Sequence, residues 1–173
     1  MMLARPIRVK ATAKQGQYPR ATHLGRPHRQ TSTFVVLTGS AGGEDRANAV
    51  SVDAAGDVIA AGVVRNKVSR ADFVVVKRAR DDGRELWRAV VNGTANGDDQ
   101  ANAVAVDPVG DVVAAGVILS DNGGFAVVKL AGATGTERWR TTLNGSANAF
   151  GEALAVTVDR TGMSWPWVAS PTM

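Results

Sequence analysis

Three stretches of this chain restate one another. Residues 47–53 read ANAVSVD, residues 101–107 read ANAVAVD and residues 153–159 read ALAVTVD, and two residues later each is followed by glycine: Gly56, Gly110 and Gly162. The first two copies run on through Val- and Ala-rich segments to Gly62 and Gly116. Phe73-Val-Val-Val-Lys77 then answers to Phe125-Ala-Val-Val-Lys129, and Gly83-x-x-x-Trp87 to Gly135-x-x-x-Trp139. The units end in Asn92-Gly-Thr-Ala-Asn96 and Asn144-Gly-Ser-Ala-Asn148, while Thr38-Gly-Ser-Ala-Gly42 reads as the end of an earlier unit. The offset is 54 residues up to Gly62 and 52 from Phe73 onward, so the loop between them is two residues longer in the first unit. Self-similarity at such a period means stacked supersecondary units, none of which can bury its apolar faces alone.

Within a unit the pattern predicts four short strands, about 47–53, 57–64, 73–78 and 85–92 in the first copy. Val, Ile, Phe and Trp fill them, and Gly, Asp and Asn punctuate the joints. Asp-x-x-Gly-Asp between the first two strands is a hairpin signal, with glycine supplying a positive φ. No segment carries a sustained helical period. The second strand is apolar on both faces and rich in Ala and Gly, as suits a sheet stacked between two neighbours at close range. Four strands in about 50 residues fits a propeller blade. The expected class is therefore all-β: four-stranded antiparallel blades of an incomplete β-propeller, preceded by a disordered tail. A solenoid of the same unit is the other arrangement. By this division residues 1–31 are the tail and residues 32–162 the partial propeller, and residues 163–173 lie off the pattern. The propeller segment comprises one last strand, two full blades over 39–92 and 93–144, and the start of another.

Charge follows the same division. Seven of the 20 Lys and Arg lie in residues 1–31, which hold no acid, leaving 13 against 16 Asp and Glu in the remainder, a net of −3. The basic character thus belongs to the tail, and no nucleic-acid surface is expected of the repeats. The tail has no apolar core of signal-peptide type, and Val58–Val64 and Val112–Leu119 are too short to span a bilayer. The absence of cysteine excludes disulfides and thiolate metal sites.

The pattern ANAVAVDxxGDVxxAG…FxVVKL…GxxxW…NG, covering residues 33–162, resembles the bacterial β-propeller repeats known as the SBBP family. That resemblance implies an exported or surface-associated propeller module within a larger chain, extracellular or at the cell surface, with no assigned chemistry. Thr134-Gly135-x-x-x-Trp139 is also similar to the second half of the quinoprotein repeat, although the aspartate of that repeat is Ala131 here and Ala79 in the first unit. The second resemblance implies that Trp87 and Trp139 dock one blade on the next. Gly56, Gly62, Gly110, Gly116 and Gly162 complete the set of structural repeat residues.

No catalytic residues are identified. Both histidines, His23 and His28, lie in the tail, and the familiar nucleophile, zinc, P-loop, dinucleotide and EF-hand signatures are missing. Asp53, Asp107 and Asp159 recur at one place in each unit, with Asp57 and Asp111 nearby. They are weak candidates for Ca²⁺ binding through carboxylate oxygens. The competing expectation, favoured by their repetition, is that each caps its own hairpin turn. Asp98-Asp99 is expected as a solvated loop, and Lys77 and Lys129 as solvated edge-strand residues. Asn92-Gly-Thr and Asn144-Gly-Ser match the glycosylation sequon, but Asn-Gly at a repeat joint reads first as a turn. The loops Val63–Asp72 and Val117–Gly124 differ most between units and are the expected carriers of specificity. The functional expectation is a noncatalytic structural or interaction scaffold whose partners are protein or carbohydrate surfaces, with self-association through exposed blade faces. The alternatives are a remnant of a quinoprotein-like enzyme and a nonfunctional truncated product.

After Gly162 the pattern calls for Asp-Val-x-x-Ala-x-Gly but the chain reads Met163-Ser-Trp-Pro-Trp-Val168. Met and Trp have single codons, so the neighbouring frame is largely determined. With Ser164 encoded as TCN, a frame begun at the last base of the Gly162 codon reads Asp/Asn/His/Tyr, Val, Val/Leu/Met, Ala, Val/Leu/Met, Gly. The missing pattern is restored, which points to a frameshift after about Gly162 and makes Trp165 and Trp167 accidental.

Overall fold

The computed structural model describes Ala41, residues 44–67, 70–94, 97–119, 124–143 and 151–159, and the backbone of Ser164 and Trp165. The tail, residues 32–40, Asn144, Gly162 and Trp167 lie outside the described residues. Eight strands form two separate four-stranded antiparallel sheets. The first contains β1 (Arg46–Val52), β2 (Val58–Asn66), β3 (Arg70–Arg78) and β4 (Glu85–Val91), in that order. The second contains β5 (Gln100–Val106), β6 (Val112–Val117), β7 (Phe125–Leu130) and β8 (Glu137–Leu143). Two-residue strands β9 (Thr157–Val158) and β10 (Ser164–Trp165) begin a third unit. Among the described residues no helix is present, and none is long and apolar enough to cross a membrane.

The hairpins follow from local chemistry. Between β1 and β2, Gly56 N–H donates to Asp53 O at 2.9 Å and Asp53 N–H to Asp57 O at 3.1 Å, with Gly56 at φ 88°. This is a three-residue loop, a type I turn closed by a residue in the left-handed region, where glycine escapes the Cβ clash. Asp107–Asp111 repeats it, with Gly110 at φ 89°. The β3–β4 and β7–β8 hairpins also match: Gly83 and Gly135 have φ 71° and 72°, and each donates to the carbonyl four residues back, of Ala79 or Ala131.

β3 begins at Arg70, three residues before the strand expected at Phe73, because the longer first-unit loop continues the ladder through Val64↔Asp72, Arg65↔Ala71 and Asn66↔Arg70. Much of the expected specificity loop 63–72 is therefore paired strand. β1 carries a bulge between Ala47 and Ala49, and β5 the same bulge between Ala101 and Ala103. β10 pairs with β9 in the register of the complete units: Val158↔Ser164 repeats Val52↔Val58 and Val106↔Val112. The off-pattern segment thus begins as a strand in the repeat's own register.

The stacking has a direction. Ile59, Ala61, Phe73 and Val75 of the first sheet lie in the core between the sheets, with Ala101, Val112, Ala114, Val128 and Leu130 of the second. Their own second-sheet counterparts, Val113, Ala115, Phe125 and Val127, face the other way, into a second cluster with Ala153, Val156 and Val158. Each unit's front therefore packs on the next unit's back. A sandwich made by a two-fold would instead bring equivalent faces together. Both faces of the second sheet are apolar for this reason.

Candidate functional site

The repeated carboxylates, lysines and tryptophans converge on one end of each sheet. Asp53 Oδ1 accepts the N–H groups of Ala55 and Asp57, both at 2.9 Å, so the side chain caps its own turn. Asp107 does the same for Val109 at 3.0 Å and Asp111 at 2.8 Å. The second carboxylate oxygen takes a different partner. Lys77 Nζ lies 2.7 Å from Asp53 Oδ2 and 3.4 Å from Asp57 Oδ2. Lys129 Nζ lies 2.7 Å from Asp107 Oδ2 and 3.5 Å from Asp111 Oδ2.

The lysines accordingly differ from expectation. They stand on β3 and β7, inner strands of their sheets, and their side chains are largely buried. An ammonium group sits between the two carboxylates where a cation ligand set would need open space. Among the described residues no group of three or more His, Cys, Asp or Glu side chains could hold a metal ion. Asp159, the third of the recurring aspartates, is part-buried directly after β9.

Burial alone would raise the carboxyl pKa of Asp53 and of Asp107, but the hydrogen bond and charge of the lysine and the turn N–H donors more than reverse it. Both carboxyls titrate below the ordinary value. Burial likewise works against the charged form of Lys77, and the aspartates outweigh it and hold the ammonium above its usual range. For Lys129 the hydrogen bond it donates to Asp107 is the largest influence, in the same direction.

Lys77 also reaches across the junction to Gly132 O, at 3.2 Å. Trp87 Nε1 donates to that same carbonyl at 3.0 Å. The indole lies on Gly135, where an added Cβ would come within 2.6 Å of a ring carbon. Trp87 is 7% exposed, whereas Trp139 is 40% exposed. The first thus docks one unit on the next, and the second presents the same side chain to solvent.

Further junction residues were not legible as such in the sequence. Asn48, the bulged residue of β1, donates from Nδ2 to Ala101 O in the next unit at 2.7 Å. Asn102 repeats the bond to Ala153 O at 3.1 Å and adds Glu152 Oε1 at 2.8 Å. The bulge also accounts for Gly62 and Gly116: a Cβ there would fall 1.9 Å from Arg46 O or 2.0 Å from Gln100 O. The available signal was the Asn of ANAV, present in two units and replaced by Leu154 in the third.

Asp99 is another departure from expectation. It is not part of a solvated loop but 2% exposed, and its carboxylate accepts Gly93 N–H and Leu119 N–H, both at 2.6 Å. Its own N–H donates to Ala71 O at 2.8 Å, joining the start of the second unit to β3. Asp45 holds the corresponding place in the first unit, accepting the N–H of Arg65, the counterpart of Leu119, at 2.8 Å. Burial, with the nearby charges of Asp72 and Asp98, raises the Asp99 carboxyl above its usual value despite the two donors. Asp98 is exposed, 3.8 Å from Arg70. The Asn92 side chain, oriented so that both of its polar atoms are satisfied, donates to Val91 O and to Asp72 Oδ1, which suits a structural joint.

No family model matches this chain, and comparison with curated proteins returns no match.

Proposed function

We propose that this chain is a noncatalytic repeat module, an arc of a β-propeller, acting as a structural or interaction scaffold within a larger exported or surface protein. The observation that carries the proposal is the unidirectional stacking, front on back, of two sheets in one register with the same inter-unit asparagine bond recurring at the second junction. Such stacking adds units without limit until a ring closes or the array ends. The chemically active side chains are committed to it: lysine neutralises the recurring aspartates, and the aspartates hold the turns. Binding specificity then falls to the connections between second and third strands, which differ in sequence and length between the two complete units. Their partners are protein or carbohydrate surfaces.

The docking of Trp87 on a glycine carbonyl favours one other reading, descent from quinoprotein-like enzymes. A titration with pyrroloquinoline quinone and Ca²⁺, followed by absorbance and thermal melting, separates the two. The scaffold reading expects neither signal to change. A saturable shift in both would overturn it in favour of the enzyme reading. Small-angle X-ray scattering of the full chain tests the arc, since a curved profile is expected and a straight rod would favour a solenoid.

A further inference from the structure

The second junction of the stack is half built. One part is in place: Val113, Ala115 and Val127 are covered by Ala153, Val156 and Val158, and Asn102 makes the inter-unit bond to Ala153 O. The other part is open. Trp139 and Leu143 are 40% and 43% exposed, whereas Trp87 and Val91 are buried at the first junction. There Trp87 Nε1 and Lys77 Nζ share Gly132 O, in the hairpin that joins the third and fourth strands of the next unit. Among the described residues Lys129 Nζ meets Asp107 and Asp111 but no such carbonyl, and Trp139 Nε1 has no acceptor. The first strand of a following unit is thus seated on the second sheet, without the hairpin that would cover Trp139.

The complete units show what that following unit requires after Gly162. β10 pairs with β9 in the shared register, so positions 164, 166 and 168 are the counterparts of Val112, Ala114 and Gly116. Val112 and Ala114 are buried in the core between the sheets, and Ala114 pairs with Val104 on one side and Val128 on the other. A Cβ at Gly116 would fall 2.0 Å from Gln100 O. A completed unit therefore needs an apolar side chain, then a small one with a backbone N–H, then glycine. The sequence as it stands offers Ser164, Pro166 and Val168. These would bury a hydroxyl, remove an N–H from an inner strand and place a branched side chain where a methyl group does not fit. The frame begun at the last base of the Gly162 codon offers Val, Ala and Gly at the same three places. It meets three separate packing requirements that the present frame fails.

We propose that the open face of the second sheet, formed by Lys129, Trp139 and Leu143, is the docking surface for a third repeat unit. Its first strand is residues 153–158, and its remainder is encoded in the frame adjoining that of residues 163–173. The hairpin between its third and fourth strands presents a carbonyl to Trp139 Nε1 and Lys129 Nζ, as Gly132 does to Trp87 and Lys77. This docking rests on the stacking reading above and uncovers no buried face. Val113, Ala115 and Val127 keep the cover they have, and Arg138 and Arg140 keep Asp111 and Glu137.

Two measurements test it. The first is the DNA sequence from the Gly162 codon onward. A TCN codon for Ser164 is expected, followed in the adjoining frame by Phe-x-Val-Val-Lys and Gly-x-x-x-Trp at the spacing they have after Gly110. An AGC or AGT codon would set glutamate at the Val112 counterpart and overturn the proposal, as would a stop codon ahead of those motifs. In the second, residues 163–173 are replaced by a copy of residues 111–144, and urea unfolding is followed by far-UV circular dichroism. Trp139→Ala is expected to leave the midpoint of the natural chain nearly unchanged, and to lower that of the extended chain as far as Trp87→Ala does. If Trp139→Ala stays silent in the extended chain while Trp87→Ala remains costly, the docking is wrong and the stack stands. An extension that adds no β signal overturns the docking as well. Trp87→Ala without effect in either chain removes the stacking reading itself, and the docking with it.

Discussion

Trp87→Ala is the sharpest perturbation of the junction, because Trp139 supplies an internal control at the equivalent position. Trp87 is buried by the next unit, donates to Gly132 O at 3.0 Å and covers Gly135. Truncating a buried tryptophan costs about 3–5 kcal/mol through lost transfer energy and the residual cavity. The lost hydrogen bond accounts for only about 1 kcal/mol of that, and Lys77 still donates to the same carbonyl at 3.2 Å. Trp139 is exposed, so Trp139→Ala in dilute, monomeric protein should cost under about 1 kcal/mol. The assay is urea unfolding followed by far-UV circular dichroism. Trp87→Ala should lower the midpoint strongly, and a reduced slope would show that the two sheets have ceased to unfold as one unit. Trp87→Phe, which keeps most of the apolar contact, should fall between. Equal effects of Trp87→Ala and Trp139→Ala would refute the claim that the indole couples the units.

Other consequences follow from the same contacts. Lys77→Met leaves Asp53 and Asp57 facing each other without their cation and should lower the unfolding free energy by about 3 kcal/mol, measured by thermal or urea unfolding. Asp53 and Asp107 titrate below their unfolded value, so their contribution is present above about pH 4 and is lost as the pH falls through their folded pKa values. Asp99, raised by burial, works in the opposite sense, its contribution fading as pH rises. Acid titration of stability should therefore show a decline below about pH 4 that is shallower in Lys77→Met, and an unchanged profile in that variant would refute the pairing. Gly116→Ala puts a methyl group 2.0 Å from Gln100 O and must force the bulge open; a loss of more than about 2 kcal/mol in urea unfolding is expected, and an unaffected midpoint would count against the bulge.

The sequence by itself determined what is local or periodic. Gly56 and Gly110 mark turns that need a positive φ, Asp53 and Asp107 cap those same turns two to four residues away, and unbroken runs of Val, Ile, Ala and Gly specify second strands apolar on both faces. Each of these depends on contacts within one hairpin, so the residues that need one another stand side by side in the chain. Only the tertiary structure decided the rest. In the sequence Lys77 reads as a solvated residue, because nothing in its neighbourhood along β3 reveals Asp53, 24 positions earlier, as its partner. Asp99 reads as half of an exposed acidic pair, yet it is buried and held by donors from Gly93 and Leu119, which follow two different strands. Asn48 recurs visibly, but its acceptor lies 53 residues on, in a neighbouring sheet. The direction of stacking also needed coordinates. A strand apolar on both sides is compatible with any covering surface, and which neighbour's face meets which is settled only when two sheets with the same pattern pack, front on back.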